Sequence, residues 1–279
     1  MKASAKIEAI RRGGSTVFPT LRSDPPLLLR RTPDALLLVA GAAGPLTGDQ
    51  LHLSVDVGPG AQLTVGSVAA SLAQAGPGDP SGIKQSVMRI EVTLGAGATL
   101  DWNPEPLISA TGSNHCQLVT VRMHETASLR WRDAVIFGRT DEHPGALDST
   151  LRVERAGRPV VHQQLSCPTI DSWLDPSMLG GARALVNDLR VGPRASRVQQ
   201  TSEPGRVEPF RGRTEVLAMA DDITMIVALA DDFRLAEAMA GEATAADQLF
   251  REQAHLPSFP GQPLAVAGIG DGDQGRGPF

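Results

Sequence analysis

The chain has 279 residues, a formal net charge of −5 at pH 7, and few aromatic residues with no tyrosine among them. An acidic chain without a long basic stripe is a poor candidate for nucleic-acid binding, because phosphate contacts dominate that affinity. Two cysteines are too few for a disulfide framework. The longest apolar run, Ala35–Ala43, is too short to span a bilayer, and the N-terminus lacks the apolar core of a signal peptide. We therefore expect a cytoplasmic protein.

The first half of the chain predicts short strands separated by glycine-containing turns. Leu36–Val39 reads as a strand, and a weak internal repeat of strand, tight turn and strand follows it. The repeat units are Val55–Val65, Glu91–Trp102 and Val121–Trp131. Each unit ends in Ala-x-Leu-x-(Val/Trp), with Ala61, Ala98 and Ala127 at the equivalent position. Units with one apolar face must stack to bury it, so the repeat predicts layered or helically wound strands.

The second half continues with strands and ends in a helix. Leu151–Glu154 and Val160–Leu165 are predicted strands, and Val216–Ala220 with Ile223–Ala230 form a predicted hairpin around Asp221-Asp222. Asp231-Asp232 is expected to cap a helix that starts near Phe233. The basic segment Arg190–Arg213 is predicted to be a loop. We expect one β-rich domain over residues 1–260 and a disordered tail over residues 261–279.

The sequence lacks recognisable catalytic motifs. It has no Gly-x-Ser-x-Gly elbow, no P-loop and no His-Glu-x-x-His. The densest group of soft metal ligands is His115, Cys116 and His124. A zinc site needs three or four converging ligands, so these three residues are weak metal candidates. The alternative is that the histidines lie on the surface and the cysteine is buried.

Three further polar residues stand in distinctive local contexts. Asp49 follows Thr47-Gly48 directly before a predicted strand, where Gly-Asp is ordinary turn chemistry. Glu105 lies between two prolines that fix the backbone on both sides, so its carboxylate is either held rigidly to line a channel or bind a partner, or it lies at a solvated loop tip. Arg139 follows a predicted strand and by itself reads as a surface arginine.

The order of these segments resembles the UreD/UreH family of urease accessory proteins. The matching segments are Thr47-Gly48-Asp49-Gln50-Leu51, Val57-Gly58-Pro59-Gly60-Ala61, Gly97-Ala98-x-Leu100-x-Trp102, Pro104-Glu105-Pro106-Leu107-Ile108, Ala127-x-Leu129-x-Trp131 and Phe137-Gly138-Arg139. The resemblance extends from about Asp34 to Leu165. Thr47 stands where the family usually has glycine.

The resemblance implies a mainly β, β-helix-like fold of stacked, helically wound strands, with about two α-helices towards the C-terminus. It implies a non-catalytic scaffold, a chaperone that binds UreF-type and UreG-type accessory proteins and apo-urease during nickel insertion. Family proteins are thought to offer nickel a water-filled passage, so nickel would be in transit and no cofactor tightly bound. Asp49 is the expected carboxylate of that passage or its mouth, Glu105 is the second candidate, and Arg139 is expected to be structural or partner-facing.

Two other interpretations are open at this point. The first is a β-solenoid or β-barrel enzyme that acts on a small molecule or sugar. It would need a converging acid and base, which two of Glu91, Asp101, Glu105 and Asp133 would have to supply. The second is a plain β binding module without a link to nickel.

Overall fold

The computed structural model describes residues 1–79, 84–192 and 212–254, and it is mainly β with two helices towards the C-terminus. The first nine strands are β1 (Lys2–Arg12), β2 (Ser15–Arg22), β3 (Leu27–Arg31), β4 (Leu36–Ala40), β5 (Gln50–Val57), β6 (Gln62–Ser67), β7 (Ser71–Ala73), β8 (Ser86–Leu94) and β9 (Thr99–Trp102). The later elements are β10 (Leu107–Ser109), β11 (Asn114–Met123), β12 (Ser128–Phe137), β13 (Ala146–Arg155), β14 (Arg158–Cys167), α1 (Ile170–Leu174), β15 (Ala184–Val191), β16 (Gly212–Ala220), β17 (Ile223–Ala230) and α2 (Phe233–Ala254).

The strands form two sheets. The first sheet has the order β14-β13-β11-β8-β5-β1-β2, and its neighbours from β1 to β13 pair in parallel. The second sheet has the order β16-β17-β15-β12-β9-β6-β4-β3, and its central strands β12, β9, β6 and β4 are also parallel. The short strands β7 and β10 extend this sheet through β12. From β4 to β13 the chain passes repeatedly between the two sheets.

The internal repeat is confirmed as three stacked turns. Leu63, Leu100 and Leu129 occupy one register position across β6, β9 and β12, as the sequence alignment predicts. Backbone hydrogen bonds connect successive turns, including Gly95 N to Val57 O at 2.8 Å. A Cβ at Gly95 would lie 2.8 Å from the Pro59 nitrogen, so this close stacking requires glycine. The expected β-helix is not confirmed, because the strands belong to two sheets and neither closes or forms a solenoid.

The main hydrophobic core lies between the sheets at the end where the turns stack. Alternation places every second side chain of each strand inward. Val55, Val92 and Val121 from the first sheet therefore join Leu63 and Leu100 from the second in one cluster. Trp102 and Trp131 stack in parallel at the edge of this cluster, with ring centroids 4.6 Å apart. Such a pair adds about 0.5–1.5 kcal/mol to the gain from burial.

Helix α2 packs against the second sheet, and α1 lies where the ends of the two sheets meet. Helix α2 starts where Asp232 accepts a hydrogen bond from Leu235 N at 2.9 Å, as the predicted cap requires. Its small residues Ala236 and Ala240 lie on the outer face of the sheet, and Glu237 pairs with Arg132 at 2.9 Å. Trp173 of α1 donates to Ala182 O at 2.7 Å. Neither helix in the described ranges has the length and apolarity needed to cross a membrane.

Most predicted elements are confirmed, and the differences have simple causes. The predicted loop over Arg190–Arg213 is wrong at both ends, because Arg190 lies in β15 and Arg213 in β16. Strands β1 and β2 were missed, because their inward residues are mainly alanine or only half buried. The expected tail over residues 261–279 lies outside the described residues, and the single domain over residues 1–260 stays a prediction.

Candidate functional site

A cavity of about 150 Å³ opens between the two sheets, beyond the stacked tryptophans. It lies where β9 ends at Trp102 and the chain runs on to β10, so the second sheet is locally incomplete. Hydrophobic residues form much of the wall, including Leu51, Leu147 and Leu185. A single water molecule needs roughly 10–15 Å³, so the cavity has room for several.

Polar side chains from both sheets face this cavity. Gln117, Ser149 and Gln163 come from the first sheet, and Asp133 and Asn187 come from the second. All five stand at inward-facing positions, and the neighbouring inward residues of the same strands are mostly apolar, with His115 beside Gln117 on β11 as the polar exception. Polar residues therefore replace apolar ones at a few inward positions, and the strands keep the same orientation throughout.

Asp133 is the charged residue in the cavity interior. Trp131 Nε1 donates to one carboxylate oxygen at 2.7 Å, and Gln117 Nε2 donates to the other at 3.3 Å across the gap between the sheets. Burial raises the pKa of Asp133 from 3.8 to about 6, although both hydrogen bonds oppose the shift. By solvent accessibility Asp133 is half-buried, and it is one of the residues that line the cavity. At pH 7 the residue is therefore an ionised carboxylate held inside the protein.

His115 is the second titratable residue of the interior. It is buried with 1 % of its surface exposed, and its Nδ1 lies 2.9 Å from Ser86 Oγ on the neighbouring strand β8. Burial lowers the pKa of His115 from 6.5 to about 4. The imidazole is therefore neutral at pH 7. It cannot balance the negative charge of Asp133.

The exposed members of the wall show where the cavity meets solvent. They are Ala40, Ala42, Ser71 and Glu105. Glu105 N donates to Ser67 Oγ at 2.9 Å, which fixes the loop between β9 and β10 to the end of β6. The carboxylate of Glu105 is thus at the mouth of the cavity, on the rigid segment that its two flanking prolines create.

Asp49 lies near the mouth but does not line the cavity. Its Oδ1 accepts from the Met1 amino group at 2.6 Å, and its Oδ2 accepts from Leu46 N at 2.9 Å. The residue is buried, with 3 % of its surface exposed. Both carboxylate oxygens are therefore bound by protein donors, and Asp49 joins the loop after β4 to the start of β1.

Arg139 is exposed and pairs with Glu142 three residues later. Its Nη2 and Nε lie 2.7 and 3.0 Å from the Glu142 carboxylate, and this pairing raises the pKa of Arg139. Gly138 has a φ of +80°, and a Cβ there would lie 2.5 Å from Glu142 O. Gly138 and Arg139 together shape the turn between β12 and β13, away from the cavity wall.

The weak metal candidates do not converge. His115 faces inward on β11, whereas Cys116 is the next residue and points to the opposite face. His124 follows the far end of the strand and bonds to Thr126 at 2.9 Å. Throughout residues 1–79, 84–192 and 212–254, no group of three or more His, Cys, Asp or Glu is placed to hold a metal ion.

The four carboxylates considered for an enzyme are also dispersed. Glu91 lies on the outer face of the first sheet, 2.8 Å from His52. Asp101 lies on the outer face of the second sheet near Arg130. Only Glu105 and Asp133 share the cavity. Asp133 was considered only as one of these four carboxylates, although counting inward positions from Leu129 and Trp131 would have placed it inside.

The fold and the cavity thus define a mainly β protein whose two sheets enclose a largely apolar cavity with a few polar side chains. A model of the UreD urease accessory protein family matches residues 1–262. Urease accessory protein UreD 2 of Saccharopolyspora erythraea is 37% identical over 224 residues, covering 78% of each chain. Urease accessory protein UreD of Streptomyces avermitilis is 35% identical over 239 residues, covering 81% of this chain and 93% of the relative. The chain belongs to the UreD family of urease accessory proteins.

Proposed function

We propose that this chain is a non-catalytic scaffold that helps deliver nickel into the active site of urease. In this role it binds apo-urease together with UreF-type and UreG-type accessory proteins, in the cytoplasm, and passes nickel through the cavity without retaining it. Family membership supports the link to urease. We also propose that the alternation of strands between the sheets is the helical winding that the resemblance implies.

The observation that supports the nickel role is the carboxylate of Asp133, which lines the cavity without a cationic partner among the described lining residues. No lysine or arginine is among the described residues that line the cavity, and His115 is neutral at pH 7. An ionised carboxylate away from bulk water is costly unless a counter-charge or water solvates it. A hydrated cation supplies both, and Glu105 at the mouth adds a second negative charge on the way in.

The hydrogen-bonding character of the cavity also fits a hydrated cation. The donors Trp131 Nε1 and Gln117 Nε2 are already used by Asp133. The amide oxygen of Asn187 is buried without a partner in the described structure. The Asp133 carboxylate is therefore the charged acceptor of the interior, and the water shell of a cation presents donors towards it. Since no described set of three ligands converges, an ion can pass without being trapped.

An assembly and activation assay tests this proposal. The full chain is mixed with apo-urease subunits and the UreF-type and UreG-type proteins in the presence of nickel and GTP. We expect a complex to form and urease activity to appear. Asp133→Asn should leave complex formation intact and reduce the activation rate about tenfold or more, because it removes the buried charge that solvates the cation.

The matched control is Asp56→Asn, which changes a carboxylate on the outer face of the first sheet that pairs with Lys6 at 3.4 Å. This variant should activate urease as the native chain does. A chain that fails to associate with urease subunits under these conditions does not have the proposed function. Equal activation by the Asp133→Asn variant would remove the cavity from the mechanism.

A further inference from the structure

The side chain of His115 has an arrangement that fixes its proton. Ser86 Oγ donates to the Asn114 carbonyl oxygen at 3.2 Å, and it lies 2.9 Å from His115 Nδ1. With its one proton directed to that carbonyl oxygen, the Ser86 hydroxyl accepts from Nδ1–H, and this network assigns the tautomer of His115. A neutral imidazole has one N–H, so the lone pair is on Nε2.

The Nε2 atom of His115 is left available to the cavity. His115 lines the cavity wall, and its Nε2 forms no hydrogen bond with any described residue. Metal-binding histidines usually show this pattern, in which one ring nitrogen donates to an oxygen and the other is free to coordinate. The Ser86 hydroxyl thus orients the ring as such an outer partner would.

His115 also lies next to the charged part of the cavity. Gln117 is two residues further along the same face of β11, roughly 7 Å away at the rise of a strand, and it is the residue that bonds Asp133. Both His115 and Asp133 line the same cavity, so a hydrated cation inside it meets one nitrogen donor and one carboxylate. A site of this kind binds a cation briefly, because three protein ligands do not meet.

We propose that His115 Nε2 is a transient ligand in the cavity that selects a borderline transition-metal cation over magnesium. This inference rests on the proposed function, and it names the residue that would make the passage selective for nickel. Imidazole nitrogen suits Ni²⁺, whereas carboxylate and carbonyl oxygens suit Mg²⁺ equally well or better. A passage lined by oxygen alone would therefore admit the wrong ion, and one imidazole discriminates without holding the cargo.

The test is Ni²⁺ and Mg²⁺ binding to the full chain, each salt titrated separately by calorimetry and by paramagnetic broadening of histidine NMR signals. We expect Ni²⁺ to broaden the His115 ring signals. His115→Gln keeps a donor for Ser86 but replaces the ring nitrogen, so Ni²⁺ affinity should fall roughly tenfold or more while Mg²⁺ affinity stays unchanged. His52→Gln, on the outer face of β5, is the matched control and should leave the broadening of the His115 signals intact.

A second variant keeps the test decisive if His115→Gln does not fold. Ser86→Ala retains the imidazole but removes its orienting partner, and it should weaken Ni²⁺ binding several-fold without affecting Mg²⁺. Unchanged Ni²⁺ affinity in both variants, or equal losses for Ni²⁺ and Mg²⁺, overturns the assignment. Complex formation and urease activation by the same variant would then leave the proposed function standing. Failure of the native chain to bind urease subunits would instead remove that function, whatever the Ni²⁺ titration shows.

Discussion

The space between the two sheets is filled at one end and open towards the other, although the same strands line both regions. In β5, Leu53 is fully buried in the main core, whereas Leu51 lies on the same face and borders the cavity. In β12, Leu129 and Trp131 belong to the core, and Asp133 follows them at the next inward position. The difference shows that the chamber is made by ending β9 early and by exchanging a few inward residues, without a change of fold.

The first comparison of the two regions uses a pair of leucine truncations. Leu53→Ala leaves a void in a close-packed core and should cost about 3–5 kcal/mol of unfolding free energy. Leu51→Ala enlarges a space that already exists and should cost about 2 kcal/mol or less. Urea unfolding of the two variants measures the difference. Equal losses would mean that the cavity wall is as rigidly packed as the core.

The second comparison uses the pH dependence of stability. The folded-state pKa of Asp133 is about 6, against 3.8 for the unfolded chain, so the folded protein retains a proton that the unfolded chain has lost in this range. Native stability should therefore fall, relative to Asp133→Asn, as the pH rises from about 4 to 6. The full penalty, roughly 2–3 kcal/mol at 1.4 kcal/mol per pKa unit, applies above that window. The contribution of His115 is common to both proteins and cancels, so parallel curves would contradict a buried charged Asp133.

The smallest expected effect concerns Asp49, whose carboxylate is bound by protein donors, in contrast to Asp133, whose carboxylate faces the cavity. Asp49→Ala removes the acceptors of Met1 and Leu46 and should cost about 1–2 kcal/mol. Its Ni²⁺ affinity, measured on the folded protein, should not change. Arg139→Ala is the control, because an exposed pair with Glu142 should leave the unfolding midpoint unchanged. A loss of Ni²⁺ binding in Asp49→Ala would place Asp49 in the passage after all.

The repeat could be predicted because alternation and turn chemistry are local. Ala61, Ala98 and Ala127 are all fully buried at equivalent positions, and each unit has the apolar pattern that such burial requires. Strand periodicity alone also argues against the grouping of His115, Cys116 and His124, since the last two stand an odd number of residues from His115 and face the other way. The sequence did single out His115, but for a cluster that does not form.

The cavity could not be predicted from the sequence. Its polar wall combines Gln117, Ser149 and Gln163 from one sheet with Asp133 and Asn187 from the other, and their convergence depends on how the sheets face each other. The resemblance predicted Asp49 for the passage or its mouth, and the residue lies near the mouth with both carboxylate oxygens bonded to Met1 and Leu46. A carboxylate in a turn looks the same in sequence whether it stabilises a loop or lines a chamber.

The stacked indoles have an optical consequence. The chain contains three tryptophans and no tyrosine, and two of those tryptophans, Trp102 and Trp131, are the pair at the chamber boundary. The ring nitrogen of Trp131 bonds directly to the carboxylate of Asp133. Two of the three indole fluorophores therefore lie at the cavity, and tryptophan fluorescence should respond to any molecule or ion that enters it.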